Sequence, residues 1–295
     1  MNVLLGANGN ITARVAAALL DRRQPVRVVG RNPVALEALR RRGAEVAIGD
    51  AREPGFLAQA FAGAGAAYVM IPPAYDAPDM RRSQAAFGTA IAGALAQSGV
   101  RRVVNLSSVG AELPAGTGPI AGLHAQEQRL NALAGVDLLH LRPGYFMENH
   151  LHAAGTIAAL GAYASLEAAD VPVPMIAARD IAEVVVRELL SPAARGVLHL
   201  HSPRYYTFRE AAAILGRAIG RPDLAYVQAE PAQVREAMLQ AGLSADAIDQ
   251  MVEMARWLST TGRDALPGPV EVTSTTLEQF GPQFRAAFDA LAAAA

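Results

Sequence analysis

The sequence predicts an α/β protein with a doubly wound parallel sheet, followed by a smaller, mostly helical lobe at the C-terminal end. Short apolar runs of β type alternate with helical stretches over residues 1–141. The runs are nearly continuous rather than alternating in polarity, which is typical of parallel strands buried on both faces. Because helices separate the strands, we expect right-handed crossovers and a ligand site outside the carboxyl ends of the strands.

Six apolar runs predict the strands of this sheet. They span residues 3–5, 26–29, 46–48, 67–71, 103–106 and 138–141. Helical patterns fill the gaps between them, at residues 12–22, 33–42, 56–62, 81–98 and 121–134. Strand and helix therefore alternate in regular order, and we predict that residues 1–150 form a single domain built on the sheet.

Beyond residue 150 strands and helices no longer alternate regularly. A helix is predicted at residues 180–190, a strand at 197–201 and a second helix at 207–219, where Thr207 and Glu210 have the spacing of a capping box. A short apolar run and several amphipathic helices follow. We predict that residues 151–295 form a smaller lobe packed intimately over the carboxyl edge of the sheet, with the substrate pocket in the cleft between the two.

Composition limits the classes of function. The 295 residues are 52% hydrophobic and carry a net charge of −1, so neither nucleic acid nor an anionic membrane is an expected partner. The absence of cysteine excludes disulfides, thiolate catalysis and cysteine-ligated metal. No apolar stretch has the length of a signal-peptide core or a membrane span, so we expect a cytoplasmic enzyme or binding protein. The expected partner is a small-molecule substrate. All 26 positions counted as lysine or arginine are arginine.

The first twelve residues are the stretch around which the first domain is predicted to be organised. A short apolar run ends at Gly6, Gly9 follows, and a helical pattern begins at once. A strand, a glycine turn and a helix direct bare N–H groups and the positive end of the helix at an anion such as a pyrophosphate. An ordinary βα turn has the same pattern. The predicted pyrophosphate contacts are Gly6, Asn8, Gly9, Asn10 and Ile11.

The ends of the second and third predicted strands indicate which dinucleotide binds. An acidic residue usually contacts the adenosine ribose of NAD at the end of the second strand, but this chain has Arg31 there. A guanidinium can bind a 2′-phosphate with two nitrogens, so Arg31 favours NADP and leaves NAD possible. Alternatively, Arg31 is a solvated arginine at the end of a strand. Asp50 and Ala51 follow the third strand, where Asp50 either accepts a hydrogen bond from the adenine amino group or caps the next turn.

The next two strands end in residues that suit the other half of a dinucleotide. Ile71, Pro72 and Pro73 end the fourth predicted strand, where a rigid apolar backbone would form a wall of the cofactor site. Ser107 and Ser108 end the fifth predicted strand. A serine at that point either bonds a substrate carbonyl or caps a turn, and Ser107 is counted among the predicted cofactor contacts.

Taken together, these motifs resemble those of the NmrA-like branch of the atypical short-chain dehydrogenases/reductases, which includes NAD(P)H:quinone reductases and redox-sensing regulators. The matching segments run in family order and reach about residue 220. They are GANG at 6–9, GRNP at 30–33, GD at 49–50, PP at 72–73, LSS at 106–108, LRPGYFMEN at 141–149 and MIAARDIA at 175–182.

The resemblance implies a Rossmann domain that binds NAD(P). It implies that Pro143, Gly144 and Tyr145, which follow the sixth strand, lie against the nicotinamide, and that Asp180 belongs to a hinge between the lobes. The third glycine of the family motif, on which close packing of helix against strand depends, is replaced by Thr12 in this chain.

Catalytic members of the wider superfamily use a tyrosine with a lysine four residues later, and this chain has no lysine. The resemblance places His124 at the tyrosine position. A neutral imidazole could bond a ribose hydroxyl and a protonated one could donate to a quinone oxygen; a surface role is the alternative. His124 and Tyr145 are the predicted catalytic residues, and Glu127, one turn further on, is predicted to be solvated. No metal site is predicted, because the His-x-His pairs at 150–152 and 199–201 have no third ligand near them.

The sequence thus predicts an NAD(P)H-dependent oxidoreductase, with NADPH preferred, that transfers hydride to a quinone or a similar conjugated carbonyl. The protein would contribute positioning and electrostatics. The competing hypothesis is a non-catalytic NADP-binding redox sensor that acts through a partner protein. The missing Tyr/Lys pair favours the sensor, whereas a buried pocket and an ordinary composition favour the enzyme.

Overall fold

The structure, a computed structural model, describes residues 1–7, 9–261 and 266–294. Its first half alternates strand and helix as predicted. The elements are β1 Asn2–Leu5, α1 Asn10–Asp21, β2 Val26–Gly30, α2 Pro33–Arg41, β3 Glu45–Ile48, α3 Pro54–Phe61, β4 Ala66–Val69, α4 Met80–Ser98, β5 Arg102–Leu106, α5 Ile120–Asn131 and β6 Asp137–Pro143. Every strand and helix predicted for this half is present.

The second half contains shorter strands and more helices. The elements are β7 Tyr145–Phe146, a 3-10 helix Met147–His152, α6 Ala153–Leu160, β8 Tyr163–Ser165, β9 Val173–Ile176, α7 Ala178–Leu190, β10 Gly196–His201, β11 Tyr205–Tyr206, α8 Phe208–Ala218, β12 Tyr226–Gln228, α9 Pro231–Gln240, α10 Ala245–Thr261, β13 Val270–Val272 and α11 Leu277–Ala294. The predicted capping box is confirmed, because the side chains of Thr207 and Glu210 each accept a hydrogen bond from the other's backbone N–H. In the described ranges no helix combines the length and the apolar character needed to cross a membrane.

All eight strands of the central sheet run parallel, in the order β13-β10-β6-β5-β4-β1-β2-β3. The strands up to β3 are added on one side of β1, and β4 to β6 follow on the other side. The point between β1 and β4 is therefore the topological switch point, where doubly wound sheets bind their ligands. The predicted fold class is confirmed.

Helices cover both faces of the sheet, which explains the continuous apolar runs. Val3, Leu4 and Leu5 are at most 2% exposed although successive side chains point to opposite faces. One face packs against α1 and α7, and the other packs against α3 and α4. A separate apolar cluster, formed largely by α6, α8 and α11, is the core of the smaller lobe.

The strand predicted at residues 197–201 lies in the central sheet rather than in the smaller lobe. β10 pairs with β6, and β13 pairs with β10, so the chain returns to the sheet twice after residue 150. Both returns cover strand edges that would otherwise stay open. The Asp180 carboxylate accepts hydrogen bonds from the backbone N–H and the hydroxyl of Thr275, which connects α7 to the segment before α11. A domain boundary at residue 150 and a hinge at Asp180 remain predictions.

Candidate functional site

The glycine turn after β1 leaves the start of α1 open. Gly6 has a φ of +74°, a conformation that favours glycine. Gly9 is the N-cap of α1, with no side chain to cap the helix, and no acidic residue lies in the first turn. Asn10 and Ile11 therefore begin a helix whose first N–H groups can meet an anion at the carboxyl edge of the sheet. The predicted contact Asn8 lies outside the described residues.

Thr12 shows that close packing of α1 on β1 survives without the third glycine. The residue is only 2% exposed, and its hydroxyl donates a hydrogen bond to the Leu5 carbonyl at 3.0 Å. The threonine thus fits between helix and strand and satisfies a carbonyl at the end of the strand, which a glycine side chain could not do. The replacement leaves the start of the helix beside the end of β1.

Arg31 follows β2 directly and is exposed at the carboxyl edge of the sheet. The next residue, Asn32, is the N-cap of α2, and its side chain accepts hydrogen bonds from the N–H groups of Val34 and Ala35. Capping occupies the Asn32 side-chain oxygen, and the exposed Arg31 guanidinium is the cationic group that this turn offers to a phosphate. A contact to a 2′-phosphate remains a prediction.

Asp50 and Ala51 follow β3 at the same edge. The Asp50 carboxylate accepts hydrogen bonds from the backbone N–H and the guanidinium of Arg52, and these bonds hold the pKa of Asp50 below its ordinary value. Asp50 therefore caps the turn, which is the second of its two predicted roles. Each carboxylate oxygen can accept more than one hydrogen bond, so the contact to adenine remains a prediction.

A cavity of about 290 Å³ lies beyond the carboxyl ends of β4, β5 and β6. Its walls include six of the predicted site residues: Ile71, Pro72, Pro73, Ser107, Gly144 and Tyr145. Methionine and aromatic side chains contribute much of the remaining wall, among them Met70, Tyr75, Met80, Met254 and Trp257. The structure thus brings the ends of three strands together around one largely apolar space.

Helix α10 contributes the wall of the cavity that comes from the far end of the chain. The indole of Trp257 lies so close to Gly110 that a Cβ there would be 2.6 Å from the ring. A Cβ on Gly118 would lie 1.9 Å from the carbonyl oxygen of Gln250. The approach of α10 to the segment after β5 therefore depends on two glycines. From the sequence alone Trp257 is expected to be a packing residue, because no local pattern indicates its place in the cavity wall.

The prediction that Glu127 is solvated is wrong. Glu127 is 2% exposed, and its two carboxylate oxygens accept hydrogen bonds from Arg142 at 2.9 and 2.6 Å and from the Ser107 hydroxyl at 2.5 Å. Burial alone would raise the pKa of Glu127, but the hydrogen bonds from Arg142 and Ser107 outweigh it and hold the pKa below its ordinary value. Arg142 also binds Glu112 at 3.0 Å. A buried ion pair therefore lies directly beneath a serine of the cavity wall.

His124 lies on α5 beside the cavity rather than in its wall. Its Nδ1 is 2.9 Å from the Ala111 carbonyl oxygen, so Nδ1 carries the hydrogen of a neutral ring and Nε2 remains an acceptor. Ile120 and Leu123 of the same helix do line the cavity. This arrangement suits a hydrogen bond accepted from a ribose hydroxyl. A part for His124 in the chemistry remains a prediction.

The residues after β6 are held firmly in place. Gly144, which follows Pro143, packs against Pro174, and a Cβ on Gly144 would lie 2.3 Å from the Pro174 carbonyl oxygen. The ring of Tyr145 lines the cavity and meets Phe208 edge to face at 5.2 Å between centroids. Burial raises the pKa of Tyr145 well above its ordinary value, so the phenol is neutral and can donate a hydrogen bond.

In each of the two His-x-His pairs, the first histidine is buried. His150 bonds Tyr163 and Met175, and His199 bonds the Pro267 carbonyl at 2.9 Å. Both rings thus have protein partners in the interior. Among the residues that the structure describes, no three His, Asp or Glu side chains are grouped to hold a metal ion.

Comparison with known proteins agrees with this architecture. The NmrA-like family model matches residues 3–282. An NAD(P)H azoreductase from Xenophilus azovorans is 29% identical over 297 residues, covering 98% of this chain and 100% of the relative. A (4-alkanoyl-5-oxo-2,5-dihydrofuran-3-yl)methyl phosphate reductase from Streptomyces griseus is 30% identical over 285 residues, covering 90% of this chain and 95% of the relative.

A solved structure of similar fold is the NADPH-dependent quinone oxidoreductase from Escherichia coli, crystallised with NADPH. It has a TM-score of 0.76 and 21% identity, covering 96% of this chain and 99% of its own. At that identity the likeness concerns the fold, whereas the family match extends over most of the sequence. This protein belongs to the NmrA-like family.

Proposed function

We propose that the protein is an NAD(P)H-dependent oxidoreductase that reduces a flat conjugated acceptor such as a quinone. The observation that carries this proposal is the contact between the glycine turn and the apolar cavity. Met70 lines the cavity, and a Cβ on Gly6 would lie 2.9 Å from its sulfur. A dinucleotide whose pyrophosphate lies at the glycine turn would therefore have its other end beside the cavity.

The names of the relatives support this substrate class. Two relatives that span nearly the whole chain are reductases, one of them named for azo compounds, and the structural neighbour is named for quinones. Azo compounds and quinones share a planar conjugated system that accepts electrons. The methionine and aromatic walls of the cavity suit such a system, because flat rings gain contact area and favourable stacking there.

The residues at the carboxyl edge fit NADP(H). Gly9 would admit the pyrophosphate to the uncapped start of α1, where no acidic residue would repel it. Arg31 would bind the 2′-phosphate, which favours NADPH over NADH. Asp50 and Ala51 would contact the adenine, and the segment from Ile71 to Pro73 would form one wall. Pro143, Gly144 and the Nε2 atom of His124 would hold the nicotinamide riboside.

Bound NADPH would supply the hydride. The chain itself contributes an apolar enclosure whose wall includes the neutral phenol of Tyr145, which can donate a hydrogen bond from its hydroxyl to an acceptor oxygen. With no lysine in the chain, no lysine ammonium lowers the pKa of Tyr145, so this phenol is a weak proton donor. A quinone needs little help of this kind, since its reduced form delocalises the negative charge, whereas a simple ketone concentrates that charge on one oxygen.

A test compares acceptors with the same enzyme. NADPH oxidation is followed by absorbance with menadione, an azo dye and cyclohexanone. We expect kcat/KM for menadione to exceed that for cyclohexanone by at least ~10²-fold, the lower range of what a general acid contributes. Equal rates with the ketone would contradict the proposal, because they require a strong proton donor, which the described residues of the cavity wall do not supply. Tight NADPH binding without turnover of any acceptor would instead favour the redox sensor with a partner protein.

A further inference from the structure

Ser107 has no donor left for a ligand. Its hydroxyl lies 2.5 Å from Glu127 Oε1, and its backbone N–H donates to the Leu141 carbonyl at 2.8 Å. Glu127 is ionised, because Arg142 binds both of its carboxylate oxygens, so the hydrogen of the Ser107–Glu127 bond comes from the serine. Both hydrogens of Ser107 that could be donated are therefore committed to the protein.

The free face of Ser107 consequently offers lone pairs only. The residue lines the cavity although it is just 4% exposed, so it lies deep at the carboxyl end of β5. A hydroxyl can accept two hydrogen bonds, and neither of the bonds described above uses this capacity. The group that meets Ser107 must thus bring an N–H or an O–H of its own.

The chemistry of the proposed reaction then decides between cofactor and substrate. Quinones, azo compounds and ketones present lone pairs on oxygen or nitrogen, and a second acceptor would repel them. The carboxamide of a nicotinamide carries an –NH₂ with two donor hydrogens. We propose that Ser107 accepts a hydrogen bond from the nicotinamide carboxamide. In this proposal, which rests on the proposed function, Glu127 and Arg142 are positioning residues that keep the serine turned into its acceptor role.

The sequence prediction counts Ser107 among the cofactor contacts, with a substrate carbonyl or a turn cap as the roles left open; the hydrogen bonds described above make the serine an acceptor and name the carboxamide as its partner. This assignment gives the buried ion pair a purpose beyond stability. Holding the carboxamide restricts rotation of the nicotinamide about its bond to the ribose, and orientation of reacting groups contributes to rate. The carboxylate must stay ionised for this, and the two hydrogen bonds from Arg142 ensure that it does.

A cofactor analogue separates this role from a structural one. In the reduced 3-acetylpyridine analogue of NADP, a methyl group replaces the amide nitrogen, so the donor hydrogens are missing. Dissociation constants are measured by nucleotide fluorescence for wild type and Ser107→Ala. We expect Ser107→Ala to weaken NADPH binding by about 2- to 12-fold, the range of one hydrogen bond, and to leave the affinity for the analogue unchanged.

The neighbouring serine provides a matched control. Ser108 also lines the cavity, but its hydroxyl donates to the Val109 carbonyl at 2.9 Å. Ser108→Ala should keep the wild-type ratio of the two dissociation constants. Glu127→Gln should reduce that ratio toward 1, because an amide nitrogen can donate to Ser107 and free the serine hydrogen. Thermal unfolding curves show whether each variant is folded.

Equal weakening of NADPH and analogue by Ser107→Ala would overturn the proposal, since the carboxamide would then not be the group that is bound. A wild-type protein that does not distinguish the two nucleotides would overturn it as well. If wild type binds neither nucleotide, the proposed function itself is wrong, and that result is distinct from both of the others.

Discussion

The carboxylate of Asp246 accepts a hydrogen bond from the backbone N–H of Met80 at 2.8 Å, which joins the first turn of α10 to the first residue of α4. Close by, the Ser244 N–H donates to the Tyr75 carbonyl at 2.7 Å. Met80 and Tyr75 both line the cavity. Helix α10, which carries Trp257, is therefore attached both to the segment between β4 and α4 and to the start of α4. We propose that α10 and this segment enclose the substrate.

We expect Asp246→Ala to loosen this enclosure. The loss of a hydrogen bond to a charged group should cost about 1.5–3 kcal/mol of unfolding free energy, measured by urea denaturation. KM for menadione should rise while the dissociation constant for NADPH stays the same. Asp249→Ala is the matched control on the same helix, because Asp249 forms an exposed ion pair with Arg235 that should contribute at most about 1 kcal/mol. Equal effects of the two variants would contradict the attachment.

Trp257 is the one tryptophan of the chain, so its fluorescence reports on the cavity directly. Addition of a quinone should quench it along a saturable curve. Trp257→Leu should raise KM for aromatic acceptors by about 2- to 12-fold, the range of one aromatic pair, and Trp257→Phe should recover most of the loss. A linear quenching curve, or unchanged KM in the leucine variant, would place the acceptor elsewhere.

Arg31 should determine the choice of cofactor. Arg31→Ala is expected to cost roughly 1.5–3 kcal/mol of binding free energy for NADPH and little for NADH, because only NADPH has a 2′-phosphate. Titration of both nucleotides measures this difference. Arg52→Ala is a useful comparison, since Arg52 is bound to Asp50 and should affect both nucleotides alike. Wild-type protein with equal affinity for both would contradict the assignment.

Gly9→Val should abolish nucleotide binding with a limited effect on the fold. The φ of Gly9 is −79°, which any residue can adopt, and a Cβ would lie 3.2 Å from the Gly6 carbonyl oxygen, a tight contact but a tolerable one. The branched side chain would occupy the space for the pyrophosphate. Gly6→Val is the contrasting variant, because its positive φ and the sulfur of Met70 should destabilise the fold itself. Normal NADPH binding by Gly9→Val would show that the turn is only structural.

Because His140 is buried, we expect the free energy of unfolding to decrease in mild acid. The ring accepts from Asn105 and donates to Asn131, and burial lowers its pKa to about 4. The unfolded state therefore binds a proton first as pH falls below about 6.5, and stability decreases until the folded ring titrates near pH 4. This histidine should contribute a slope of about 1.4 kcal/mol per pH unit in that window. Urea denaturation of His140→Gln should show a slope smaller by this amount; an identical slope would contradict the prediction.

The strands and the edge where their ends meet could be predicted from the sequence, because both depend on local patterns. Continuous apolar runs such as residues 3–5 indicate buried parallel strands, and a parallel sheet places all its carboxyl ends on one side. Glu127 could not be predicted in the same way. It lies between two glutamines in a polar stretch, and its burial follows only from the pairing of β5 with β6, which brings Ser107 and Arg142 together. Trp257 could not be predicted either. It lies in the cavity wall because α10 packs against Gly110 and Gly118, which are more than 100 residues earlier in the chain.

The pairing of β13 with β10 makes folding of the sheet depend on a late part of the polypeptide. During synthesis, β10 can pair with β6, but its other edge stays open until residues 270–272 have left the ribosome. At about 5–20 residues per second this interval lasts several seconds. An unpaired apolar strand edge is a template for pairing with other chains. We therefore expect expression yield to be limited by aggregation of nascent chains in this interval rather than by instability of the finished protein.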